Sequence, residues 1–204
     1  RDRLTFNLET RGRFMLPGVT IVWGLIVVLP FIPVTADGVD PATADAHKVK
    51  HILKTIETSQ NKAGQKATRK AVITQKELNA YIAYRLGREK QPIIKRLDVI
   101  LQNNNRVRGN IHFDLGSIDI LKLLGSDFDL DFDGKLQTRD GAGKLDLASL
   151  YLNGESIPPQ ALDPVLAAVA RYYGNEPGRA DDWYELPKGI QHIEVSQAGA
   201  VLYY

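Results

Sequence analysis

The residues with the strongest claim to chemistry are the aspartates of DLDFDGKLQTRD, residues 129–140. Asp129, Asp131, Asp133, Gly134, Leu136 and Asp140 fall at the offsets of a calcium loop of the EF-hand type. Alternate oxygen ligands, a glycine for the sharp turn and a closing carboxylate are what a hard cation needs. Three features oppose calcium at Asp129, Asp131, Asp133 and Asp140. Leu130 and Phe132 occupy positions that should be polar. Asp140 replaces the longer glutamate that binds through both oxygens. A glycine turn follows where a helix should. The same residues read as a strand with Phe and Leu inward and Asp outward, and that reading is preferred. No metal or other cofactor is expected.

The four histidines are weaker candidates. His47 and His51 share a helix face at i, i+4, as two metal ligands would, but Lys48 and Lys50 flank them and no third ligand is visible. His112 and His192 sit at outward positions of alternating segments. Cysteine is absent, which excludes thiol catalysis, thiolate metal sites and disulfides. No serine lies in a tight glycine elbow, and Gly141-Ala142-Gly143 lacks the following helix of a phosphate loop. Asp181, Asp182 and Glu185 surround Trp183 and Tyr184, an arrangement better explained by a loop anchored on one buried ring than by a carbohydrate site. The chain is expected to be non-catalytic.

Aromatic pairs carry more information. Tyr81 and Tyr84, Tyr172 and Tyr173, Trp183 and Tyr184, and Tyr203 and Tyr204 are close neighbours in sequence. Adjacent positions on a helix or strand cannot all point inward, so some of these rings must reach the surface. Exposed Tyr and Trp suit protein interfaces or a lipid headgroup layer. Trp23, Tyr172, Tyr173, Trp183, Tyr184, Tyr203 and Tyr204 are therefore the expected partner or membrane contacts.

The elements that must position these residues are an anchor and a domain. The 204 residues are 44% apolar and 25% charged, an ordinary globular balance. The formal excess of +2 sits wholly in residues 1–13, where Arg1, Arg3, Arg11 and Arg13 oppose Asp2 and Glu9. The remainder is near neutral, so it has no broad field to hold phosphate backbones, and nucleic acid is not an expected partner.

Residues 14–36 contain no charge. At about 1.5 Å per residue they can cross a hydrocarbon core of about 30 Å. The basic start and Val34-Thr35-Ala36 would also suit a cleaved signal, but the stretch is longer than a usual signal core. It reads as an uncleaved transmembrane helix. Arginines precede it, and Asp37, Asp40 and Asp45 follow it. By the positive-inside rule, residues 1–13 are then cytoplasmic and the rest lies outside, in the periplasm of a bacterium with two membranes. The expected location is the bacterial inner membrane.

Residues 37–66 read as a turn-rich linker (DGVDPA) and a polar helix over 43–60 with Val49, Ile52, Leu53 and Ile56 in a narrow stripe. Residues 67–204 form the outer domain. Thr74 and Glu77 make a capping box for a helix that buries Leu78, Ile82 and Leu86 and stops at Gly87. The period then changes from helical to alternating. Leu97, Val99 and Leu101, the turn 102–105, and Val107, Gly109, Ile111, Phe113 and Leu115 make a hairpin. A short helix over 117–125 leads to a strand with Phe128, Leu130, Phe132 and Leu136. A glycine turn precedes another strand with Leu145, Leu147 and Leu152. An amphipathic helix carries Leu162, Val165, Leu166, Val169 and Tyr173, and a hairpin over 190–204 closes the chain. The expected fold is α+β: an N-terminal transmembrane helix, then one antiparallel sheet with helices packed on one face.

The segments TQKELNAYIAYRL, RVRGNIHFDL, LQTRDGAGKLDLASLYLNGESIP and YELPKGIQHIEV, spread over roughly residues 70–204, resemble a broad group of bacterial exported domains to which no role is assigned. Their motifs are structural and transfer no catalytic residue. In architecture alone the pattern is also similar to the tubular lipid-binding superfamily. Two functions are expected from different classes. One is an accessory or assembly subunit of a larger membrane complex, respiratory or photosynthetic in kind, with other integral membrane subunits as partners. The other is a membrane-anchored periplasmic lipid-binding module. The first calls for a filled core and an aromatic outer patch, the second for a deep apolar cavity beneath the helices.

Overall fold

The structure, a computed structural model, describes residues 41–59, 69–88, 93–114, 127–172, 176 and 178–204. The proposed transmembrane helix over 14–36, its cytoplasmic tail, the helix expected over 117–125, Trp23 and Tyr173 lie outside these residues. Among the described residues no helix is long and apolar enough to cross a membrane.

The first helix, α1 (Pro41–Ser59), starts two residues earlier than the stripe suggested, with Pro41 in its first turn, where a missing N–H costs nothing. Its face of Ala46, Val49 and Ile56 is buried in the same core as the strands. A short strand β1 (Lys70–Ile73) then runs into α2 (Gln75–Leu86). The capping box is present as expected. Thr74 Oγ1 accepts from the Glu77 N–H at 3.3 Å, and Glu77 Oε2 accepts from the Thr74 N–H at 2.8 Å. Glu77 also receives Lys48 of α1 and is itself buried, so one carboxylate closes the helix and clamps α1 to it. Lys76 with Asp45 at 2.9 Å, and the edge of His47 on Tyr84 at 5.4 Å, extend that seam.

The larger sheet contains β2 (Ile94–Gln102), β3 (Arg106–Asp114), β4 (Asp127–Arg139), β5 (Ala142–Leu152) and β6 (Glu155–Ser156) in sequential antiparallel order. The β2–β3 turn carries Asn104 and Asn105 at φ 61° and 60°. Two successive left-handed residues match the twist of a tight hairpin, and asparagine tolerates them. Leu97, Val99, Leu101, Val107, Ile111, Phe113, Phe128, Leu130, Phe132, Leu136 and Leu150 turn to the core. Gly109 faces Phe132 across the ladder, and a Cβ there would come within 2.5 Å of the ring and 2.7 Å of the Asp98 carbonyl oxygen. A glycine is required so that the ring can lie over it.

A 3-10 turn (Pro159–Leu162) leads into α3 (Asp163–Tyr172), which buries Val165, Leu166 and Val169 together with Leu162 of the turn. The two-residue β7 (Tyr184–Glu185) pairs with the start of β5.

The fold is α+β, as expected, but the single sheet is not observed. β1, β9 (Gly199–Tyr203) and β8 (His192–Ser196) form a second, three-stranded antiparallel sheet with β9 in the middle. Side chains bridge β8 to the larger sheet where no ladder forms. Asn105 Oδ1 accepts from the Val195 N–H at 2.7 Å while the Asn105 N–H donates to the Val195 carbonyl at 3.1 Å. Thr138 Oγ1 accepts from the Ile193 N–H at 3.2 Å and lies 2.6 Å from His192 Nδ1. Backbone groups on an edge strand need partners, and here two polar side chains supply them.

Candidate functional site

The four aspartates of the calcium motif do not converge. Asp129, Asp131 and Asp133 stand on the outward face of β4 at successive alternate positions, and Asp140 sits at φ 48° in the β4–β5 turn. At about 3.3 Å per residue the first and last are separated by roughly 36 Å of strand, far beyond any coordination shell. Each strand aspartate has a neighbour from β3 instead. Asp129 is 3.1 Å from His112, and Asp131 accepts from Asn110 at 2.9 Å. Asp133 takes the Arg106 fork at 2.7 and 2.8 Å, with Arg108 at 3.3 Å. These pairs form a charge ladder across two strands. His47 rests against Tyr84 and His51 is exposed; among the described residues no group of three ligating side chains could hold a metal.

The described aromatic candidates sit on several elements. Trp183 is covered by the Arg139 guanidinium, 4.1 Å from its centroid. Tyr184 donates to the Arg179 carbonyl and packs against Gly178. Its burial, reinforced by Asp182, Asp163 and Asp181, raises the phenol pKa well above its ordinary value. Tyr203 donates to Glu194, with His192 beside its ring and Lys70 at 4.7 Å over it. Tyr204 pairs its backbone with Arg69. Tyr172 ends α3 and is 37% exposed. The other exposed large apolar side chains are Val72, Ile100 and Tyr151, on β1, β2 and β5. Between Ile100 and Tyr151 stand the charged rows of β3 and β4, so these two belong to no common patch.

A concave feature lies between the sheets. A half-open cavity of about 280 Å³ is enclosed by α1, α2 and the inner faces of both sheets. Val49 and Leu53 close it from α1, Leu78 and Tyr81 from α2. Val99, Leu101, Val107 and Leu136 come from the larger sheet, and Ile193, Val195, Ala200 and Leu202 from the smaller one. The Tyr81 hydroxyl accepts from Arg85 at 3.2 Å. The charged side chains on the lining are Lys50, Lys54 and Glu57 of α1, and Lys188 from the segment between β7 and β8.

Sequence reasoning found the stripe of α1 and the alternation of the strands, hence most of the walls. The lipid-binding alternative called for such a cavity, but the lysines beside it were missed. Lys50 and Lys54, one turn apart and bracketing Leu53 on α1, were the available signal. A comparison of the chain with models of known protein families, with curated proteins and with solved structures finds no match.

Proposed function

We propose that this protein is a membrane-anchored binding module for a small apolar molecule, with a lipid chain as the natural occupant and the cavity between the two sheets as the site. The observation that carries the reading is the cavity itself. Its volume of about 280 Å³ stands near the lower end of the roughly 300–1,000 Å³ usual for small-molecule sites. Its walls are mostly apolar, and apolar cavities take up apolar guests.

The anchor rests on the uncharged run 14–36 behind its arginines, and it would hold the cavity close to a bilayer, the source of such molecules. The docking-subunit alternative calls for a filled core, and the cavity departs from that.

The test is extraction of the full chain in mild detergent, with mass spectrometry of what copurifies. Wild-type protein should carry close to one apolar molecule per chain. Ala200→Trp, which places an indole in the cavity from the middle strand of the smaller sheet, should carry none while its circular dichroism is unchanged. Equal occupancy in both proteins, or none in the wild type, overturns the reading.

A further inference from the structure

We infer that the occupant carries an anionic head, which Lys54 and Lys188 receive at the cavity, beside Lys50. The class that fits is a single-chain amphiphile ending in a carboxylate or phosphate. This rests on the cavity being a binding site, and it adds which end of the ligand is recognised and by what.

The argument begins with how unevenly the lining is charged. Every wall from the two sheets and from α2 is apolar apart from the Tyr81 hydroxyl. All the charge comes from α1 and from the 187–190 segment, as three lysines and the single carboxylate of Glu57. Several cations elsewhere in the fold are matched: Lys48 is held by Glu77, Lys76 by Asp45, Lys95 by Asp114 and Arg106 by Asp133. Lys54 and Lys188, like Lys135 and Lys144 on the larger sheet, form no ion pair among the described residues. The chain outside its first thirteen residues is near neutral, so a local excess of positive charge beside this apolar opening is not part of a general basic surface.

The spacing on α1 supports the same assignment. Lys50 and Lys54 are one turn apart, so both heads rise from one face, with Leu53 on the lining beside them. Lysine stems can lie along apolar wall while their ammonium groups stay in water. Lys188 comes from a different part of the chain, behind Pro187, and brings a third ammonium group to the same lining. An alkyl chain in the cavity would leave its head at this rim, where an anion is favoured and a cation is not. The volume leaves room for one chain, not two.

Equilibrium dialysis of radiolabelled dodecanoate, dodecyl phosphate and dodecanol against the full chain tests this. The protein is held in phosphatidylcholine nanodiscs at pH 8 and low salt, with empty nanodiscs as the blank. The cavity predicts binding of all three. The lysines predict that both anions bind about tenfold more tightly than dodecanol. That advantage should fall to less than twofold in Lys54→Glu/Lys188→Glu and at high salt, while dodecanol is unaffected. Both substitutions are at exposed positions, and circular dichroism of the double variant checks that the fold is kept. If dodecanol binds and neither anion binds more tightly, or the advantage survives the double substitution, the head assignment is wrong and the cavity reading stands. If only one anion gains, the rim selects that head group. If nothing binds above the blank, both readings fall.

Discussion

Replacing Asn105 by alanine, glycine and aspartate in turn separates the two tasks this residue performs. It occupies the second left-handed position of the β2–β3 turn, at φ 60°, and its Oδ1 accepts from the N–H of Val195, a residue only 6% exposed. An ordinary side chain in the left-handed region costs about 1–2 kcal/mol. A buried donor left without a partner costs about 1–3 kcal/mol. Asn105→Ala incurs both, so a loss of about 2–5 kcal/mol is expected. Asn105→Gly incurs only the second, apart from a smaller entropic cost in the unfolded chain. Asn105→Asp keeps the acceptor and the tolerance for positive φ, and should remain within about 1 kcal/mol of wild type. Urea denaturation with a common slope gives the three differences. Val195, which this bridge holds in place, lines the cavity, so the order of stability should repeat as the order of ligand affinity. Glycine equal to wild type, or aspartate as damaging as alanine, would refute the reasoning.

Two further outcomes follow from packing and from charge. Gly109→Ala should cost about 1–3 kcal/mol in the same urea assay, because its Cβ meets both the Phe132 ring and the immobile Asp98 carbonyl; a neutral result would mean the ring does not lie over the strand. Burial alone would raise the Glu77 pKa, but hydrogen bonds from Lys48 and from Thr74 outweigh it, and the carboxyl lies below its ordinary value of 4.5. A group depressed on folding contributes stability above its unfolded pKa and loses it as pH falls through the folded one. The stability advantage of wild type over Glu77→Gln should therefore be constant near neutrality and shrink as pH drops below 4.5; a difference independent of pH would count against the clamp.

What could be read from the residues was whatever local spacing encodes. The Thr74–Glu77 box, the Asn turn and the preference for strand over calcium loop in 129–140 are local, and each is found. Leu145 and Leu147 shared a parity that Leu150 breaks, because an irregularity in the β4–β5 register near Asp133 and Gly134 shifts which residues face inward. Such an irregularity has no periodic signature. β1 was harder still. Its four residues run straight into a helix cap, and its partner β9 lies at the far end of the domain. Asn105 and Thr138 bridge the two sheets across that distance, and no local spacing marks either as a bridge. The candidate site was least legible of all, since a cavity is defined by atoms that are not there.

The middle strand of the smaller sheet is the last element of the domain in chain order. During synthesis β1 emerges early, yet it has nothing to pair with until residues 199–203 leave the ribosome. Gly199, at φ 139°, then has to come close enough to Ile73 that a Cβ would strike its carbonyl oxygen at 2.4 Å. Until that moment the cavity lacks the wall that Ala200 and Leu202 supply. Pairings between such distant segments form slowly, so this half-built vessel would persist long enough to need shielding, by a chaperone or by a first greasy guest.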